Sequence, residues 1–354
     1  MSKFIAFYLP QYYPTKENNE WWGAGFTEWR SVNTAKPLFK GHVQPKVPRD
    51  LGYYDLRVSE TREAQALLAK EHGIDAFCYW HYWFGNGRRL LDRPFTEVVE
   101  LGKPDFPFCL GWANHSWYNK AWGGKGKDKL LIEQQYLGEE DNLNHFNAML
   151  KAFKDKRYLR HDGKLVFIIY APLDNPKISE FIAQWRSLAS VNGLNDFFFI
   201  GKVSYSKDKQ KLLDIGFDAV YTDRYLSIYQ NEPQIKKAFR LLKAKLFNTP
   251  MVYKYKDAAK YMLTDEERNE DVCPLIVPNW DHSPRSKAAH PIFVDTKPEY
   301  FQKLVEQAEN IVETKANDIV IVKSWNEWGE GNYLEPDMQY GKGLLEALKR
   351  GRRF

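Results

Sequence analysis

The sequence predicts a (β/α)8 TIM barrel with long βα loops, in a single domain over residues 1–354. Three observations lead there. Eight short apolar runs recur from end to end, and they are continuous rather than alternating, as strands buried on both faces are. Helical periodicities fill the intervals. No low-complexity linker and no internal repeat of 20–50 residues divides the 354-residue chain. A doubly wound open sheet is the alternative, but it usually announces itself by a glycine-rich turn after the first strand. Here that strand runs into PQYYPT, which contains no glycine.

In order, the runs are Phe4–Tyr8, Asp75–Trp80, Pro107–Trp112, Leu165–Tyr170, Phe197–Lys202, Asp218–Tyr221, Pro274–Asn279 and Ile319–Trp325. Ser59 is placed to cap the first long helix, with Glu60 and Glu63 in its first turn and Gly73 where it must stop. Leu143, Phe146, Leu150 and Phe153 recur at helical spacing, as do Ile178, Phe181, Ile182, Trp185 and Leu188, and then Phe301, Leu304, Val305, Ala308 and Ile311. Two connections are too long for simple barrel loops, and long loops in compact domains are often functional. One runs from Pro10 to about Ser59 and carries WWGAGFTEW. The other runs from about Tyr225 to Cys273 and carries a basic helix near Gln234–Phe247. Its Lys236, Lys237, Arg240, Lys243 and Lys245 read first as a solvated face and second as a surface for an anionic partner.

Composition narrows the function. A net charge of +5, from 51 basic and 46 acidic residues with the signs interspersed, does not argue for nucleic acid. Cys78, Cys109 and Cys273 form no C-x-x-C pair, so they read as buried free thiols rather than a disulfide framework or zinc site. No apolar run reaches the roughly 18 residues of a transmembrane segment. No secretory signal opens the sequence, and a cytoplasmic location is expected. Aromatic residues make up 16%, enough to furnish a cleft as well as a core.

In such barrels the active site lies at the C-terminal ends of the strands. Strand one ends in Tyr8. Strand two ends in Tyr79, Trp80, His81, Tyr82 and Trp83. Strand three ends in Trp112, Asn114 and His115, and its loop carries Trp117 and Trp122. Strand four ends in Tyr170, and strand six in Tyr221, Asp223 and Arg224. Strand seven ends in Asn279 and Trp280, and strand eight in Trp325, Asn326, Glu327 and Glu330. Nearly every strand delivers an aromatic with a hydrogen-bonding group to one rim, which points to a sugar cleft and an oligo- or polysaccharide substrate. Glu327 and Glu330 stand three residues apart. If the chain turns helically there, they share a face, and two carboxylates in one apolar pocket cannot both ionise easily. That supplies an acid and a base. The bland reading, a surface Glu pair, fits poorly with the surrounding tryptophans. Asn326 either contacts a substrate hydroxyl or holds the turn. His81, His115 and His282 show neither H-x-H nor H-E-x-x-H, so no metal and no cofactor are expected.

The segments AFYLPQYYP, GFTEW, AFCYWHYWF, GWANHSW and SWNEWGEGNYLEP together resemble the WbsX-like proteins of bacterial surface-polysaccharide clusters, across nearly the whole chain. A more distant resemblance, resting on strand eight and the barrel layout, is to glycoside hydrolase family 99. The latter resemblance implies a retaining, metal-independent α-mannosidase or mannanase chemistry, with E-x-x-E after the last strand falling on Glu327 and Glu330. It implies that Glu327 deprotonates the sugar 2-hydroxyl, which attacks C1 to give a 1,2-anhydro sugar. Glu330 would protonate the leaving oxygen and then activate water. The expected function is therefore a glycoside hydrolase or transglycosylase acting on a bacterial polysaccharide or lipid-linked glycan. Two alternatives stay open: a glycosyltransferase of O-antigen assembly, although no D-x-D motif or Rossmann-like nucleotide site is present, and a non-catalytic glycan-binding protein.

Overall fold

The computed structural model describes residues 2–120, 127–204 and 206–353. All eight expected strands form: β1 (Lys3–Tyr8), β2 (Ala76–Trp83), β3 (Phe108–Trp112), β4 (Lys164–Ile169), β5 (Phe197–Val203), β6 (Ala219–Thr222), β7 (Leu275–Ile276) and β8 (Ile319–Val322). They pair in parallel in the spatial order β6-β5-β4-β3-β2-β1-β8-β7. The ring is brought round by a parallel bridge between Val220 of β6 and Val272, where the Cys273 amide donates to the Val220 carbonyl at 2.8 Å. β7 is shorter than expected because Pro274 and Pro278 bracket it, and a proline has no N–H for the ladder.

Because strand side chains alternate in direction, each strand splits its residues between the barrel interior and the helical layer. Phe7 of β1 lies 5.7 Å from Tyr221 of β6. Those strands are not neighbours, so this contact crosses the interior. Trp80 of β2 stacks on Phe7 at 4.3 Å and meets Tyr170 edge-on at 5.6 Å. Gly111 of β3 makes room for it, since a Cβ there would stand 3.0 Å from the Trp80 ring. The next residues point the other way. Tyr8 donates to Gln65 on the helix Ser59–Glu71, His81 reaches His145 on Glu139–Phe153, and Trp112 packs on Phe181 of Ile178–Val191. The core between sheet and helices is aromatic, centred on Trp185 among Phe153, Phe167 and Phe197.

The helices follow expectation, with one correction. Val58, not Ser59, occupies the cap position of the first long helix, and the Ser59 hydroxyl donates to Glu60 at 3.1 Å. Gly73 adopts φ +90°, which suits glycine, just past that helix's end. The three cysteines are buried free thiols. No helix among the described residues is long and apolar enough to cross a membrane.

Candidate active site

A cleft of about 480 Å³ opens at the C-terminal ends of the strands. Glu327 and Glu330 stand on its wall. After β8 the chain forms a small hairpin: Asn326–Glu327 pairs antiparallel with Asn332–Tyr333 around a 3₁₀ turn, Trp328–Glu330. In a 3₁₀ turn residues i and i+3 eclipse, so both carboxylates fall on one side. The hairpin is held from beneath. The Asn326 side chain exchanges two hydrogen bonds with the Leu9 backbone, at 2.7 and 3.1 Å, fastening the end of β8 to the end of β1. Trp328 stacks on Tyr333 at 3.8 Å and donates its indole N–H to buried Glu335 at 2.6 Å. Gln65 and Tyr54 also donate to Glu335, at 2.7 and 2.9 Å. Burial is the largest influence on that carboxyl and lifts it to about 7, against the pull of those donors.

One guanidinium organises the acidic groups. Arg285, on the short helix Ser283–Ser286, places Nε 2.7 Å from Glu28 Oε1, Nη1 2.7 Å from Glu330 Oε1 and Nη2 2.8 Å from Glu327 Oε2. Glu28 comes from the long first connection, at the start of the helix Glu28–Asn33. It lies directly over Gly329, where an added Cβ would stand 1.8 Å from its Oε1. Asp281 positions the Arg285 helix from behind: its carboxylate accepts from the Ser283 amide at 3.1 Å and from Gln44 at 2.7 Å, and His42 Nε2 stands 2.8 Å away. Burial pushes the Glu327 carboxyl up to about 8; Arg285 opposes the rise, and Glu330 and Glu28 add to it. Three carboxylates around one cation favour keeping a proton in the cluster.

The cleft lining carries a second charged group. Asp223 lies between Lys202 Nζ at 3.0 Å and Lys323 Nζ at 3.2 Å. Burial alone would raise its carboxyl, but the two ammonium groups outweigh that and hold it down to about 2. Lys202 sits 3.8 Å from the Tyr170 ring centre and Lys323 4.8 Å from that of Tyr225. Trp80, Tyr82, Tyr225 and Trp280 supply aromatic faces to the cleft. His115 lines it as well, and burial, with Lys202 and Lys120 nearby, lowers its imidazole to about 4, so it is neutral at pH 7. Among the described residues no group of three His, Cys, Asp or Glu side chains is arranged to hold a metal ion. The cation at the centre of the acidic cluster is Arg285.

Of the residues singled out from sequence, the structure brings Glu327, Glu330, Trp80, His115 and Trp280 to the cleft. The others are corrected. Tyr8, His81 and Trp112 face the helical layer because they alternate with inward residues. Asn114 spends its amide on Tyr136 and on the Ala171 backbone. Asn279 accepts from the Tyr333 amide at 3.1 Å, Trp325 packs on Phe77, and Asn326 holds the turn, the second of its two readings. Trp117 lines the cleft, and Trp122 lies outside the described residues. His282 is satisfied by Ser286 at 2.8 Å. Sequence reasoning placed Tyr82 on the rim but missed Glu28, Lys202, Tyr225, Arg285 and Lys323 as cleft residues. A signal existed for two of them: Lys202 and Lys323 are lysines embedded at the ends of otherwise apolar strand runs, and a charge there needs a reason.

Comparison with known proteins agrees with the fold. Residues 4–348 match the family described as "Glycosyltransferase WbsX". The "Uncharacterized protein WxcX" of Xanthomonas campestris pv. campestris (strain B100) is 33% identical over 349 residues, which is 98% of this chain and 49% of the relative. The chain thus spans about half the length of the curated relatives it matches. A solved "Glycoside hydrolase-like protein" superposes with a TM-score of 0.63 at 16% identity, covering 99% of this chain and 93% of the other. The GH99 endo-alpha-mannosidase from Bacteroides thetaiotaomicron does so with a TM-score of 0.56 at 14% identity, covering 98% and 96%. At these identities the likeness is one of fold.

Proposed function

The chain belongs to the WbsX family, and from that premise we propose that it is a glycan-active enzyme: a retaining glycoside hydrolase or transglycosylase acting on a bacterial polysaccharide or lipid-linked glycan. The observation that carries the reading is the placement of Glu327 and Glu330 on one wall of an aromatic cleft, held by one guanidinium. Flat aromatic faces suit the C–H faces of sugar rings, and paired carboxylates suit proton transfer on either side of a glycosidic bond. No step requires a metal.

For an α-mannoside-like substrate, Glu327 takes the proton of the 2-hydroxyl as its oxygen bonds to C1. The bond from C1 to the leaving oxygen breaks, and that oxygen takes a proton from Glu330. Water then gives a proton to Glu330 and attacks C1, the 1,2-anhydro ring opens, and Glu327 returns its proton to the 2-oxygen. A sugar hydroxyl in place of water gives transglycosylation. Burial suits Glu327 to the first task, since a carboxylate with raised proton affinity is the stronger base once ionised. Glu330, with a side chain 21% exposed against 12% for Glu327, is the better placed to exchange with water.

A second reading is transfer from a sugar nucleotide, which the family's description favours. Incubation with the producing strain's own polysaccharide, followed by mass analysis, tests the first reading. Shortened or rearranged glycans are expected, and they should vanish in a Glu327→Gln, Glu330→Gln double variant. Full turnover by that variant would defeat the paired-glutamate mechanism. Calorimetric binding of a nucleotide sugar, without polysaccharide cleavage, would favour the second.

A further inference from the structure

The helix Gln234–Phe247 is turned inside out. Two of its basic residues face the protein: Lys237 stands 3.8 Å over the Tyr229 ring, and Arg240 pairs with Glu232 at 2.6 Å and donates to the Val252 carbonyl at 2.6 Å. Its apolar residues face solvent. Ile235, Phe239, Leu242 and Leu246, at positions i, i+4, i+7 and i+11, form one stripe and are 85%, 69%, 56% and 70% exposed. No residue of the helix is buried. A surface helix ordinarily shows the reverse arrangement, and a contiguous exposed stripe of this kind marks an interaction surface.

Charge identifies the partner. The helix contains no acidic residue. At 3.6 residues per turn, Lys236 and Lys243 flank the stripe on one side and Lys245 on the other. Protein interfaces are depleted in lysine, whereas helices lying in a bilayer interface carry an apolar face of Phe and Leu bordered by lysines that meet lipid phosphates. We infer that this helix seats the protein on the surface of an anionic phospholipid bilayer, its stripe lying among the upper acyl chains and its lysines at the headgroups. At about 21 Å long it lies in the interface and does not span it. The connection that bears it leaves β6 at the same end of the barrel as the cleft, and Tyr225, earlier in that connection, lines the cleft wall. The seat therefore keeps the cleft mouth beside the bilayer, and it stands independently of the glycan reading.

Sedimentation of the full chain with vesicles tests this without any substrate. The protein should pellet with phosphatidylcholine vesicles containing phosphatidylglycerol, not with phosphatidylcholine alone, and added salt should release it. A Phe239→Ser, Leu246→Ser variant should partition at least about tenfold less. A Lys236→Glu, Lys243→Glu, Lys245→Glu variant should lose the preference for the anionic lipid. Both should melt like the parent, since these side chains are exposed. Equal pelleting with both compositions, or none with either, would overturn the inference. So would a dimer in solution that the Phe239→Ser, Leu246→Ser variant dissolves, which would assign the stripe to a second copy of the chain.

Discussion

Arg285 donates through Nη2 to the Glu327 carboxylate at 2.8 Å, joining residues 42 positions apart across the mouth of the barrel. Its other two nitrogens reach Glu330 and Glu28 at 2.7 Å each. The guanidinium fixes the geometry of the pair and opposes the rise that burial imposes on Glu327.

Removing either carboxylate's charge should abolish most turnover. Glu327→Gln and Glu330→Gln should each lower kcat/KM by about 10²- to 10⁴-fold, the range of a lost general acid or base. Melting temperatures near the parent's would show that the loss is chemical.

The pH dependence follows from Glu327. With its carboxyl raised to about 8 and acting as a base, kcat/KM should climb as pH approaches that value. A decline over the same interval would make Glu327 the acid and exchange the two roles. The stability effect has its own sign. A carboxyl whose folded value is raised stabilises the fold while protonated, and that contribution fades as pH climbs from the ordinary carboxylate range through about 8. Melting should therefore fall over this window, and less so in Glu327→Gln. Glu335, lifted to about 7, adds a similar slope in both proteins.

Gly329→Ala should displace Glu28. The new methyl would sit 1.8 Å from the Glu28 carboxylate and 2.8 Å from Arg285 Nε. A stability loss of about 1–3 kcal/mol is expected from the crowding, with a larger fall in turnover than in stability as Arg285 shifts. Thermal melts beside kinetic assays separate the two effects.

Trp80 and Trp112 should respond in opposite ways. Trp80 faces the cleft, so Trp80→Ala should raise KM roughly tenfold by removing a stacking face. Trp112 packs against Phe181 and His145 in the helical layer, so Trp112→Ala should cost about 3–5 kcal/mol in chemical denaturation. Equal effects on KM would contradict the facing described above.

Glu335→Gln should destabilise the hairpin by about 1–3 kcal/mol, measured by urea unfolding. Three donors converge on that carboxylate, and an amide would present its own N–H groups to them.

Much of the architecture was legible in the chain. The continuous apolar runs located all eight strands, and strands drifted mainly where prolines or a charged residue ended the ladder, as at β7 and β8. The spacing of Glu327 and Glu330 implied a common face, and the 3₁₀ turn provides one. The sugar-contact set was less legible. A strand buried on both faces shows no alternation, so His81 and Trp80 look equally eligible, as do Trp112 and His115. The period of two then sends neighbours to opposite sides.

The order of elements and the carboxylate pair are local properties, written in hydrophobic periodicity and in a three-residue interval, and the sequence determined both. Glu28 and Arg285 are separated by 257 positions, and Lys202 and Lys323 meet at Asp223 from strands on different sides of the ring. Only closure of the barrel decides such meetings, because they depend on which loops converge over its mouth, and no interval along the chain encodes that.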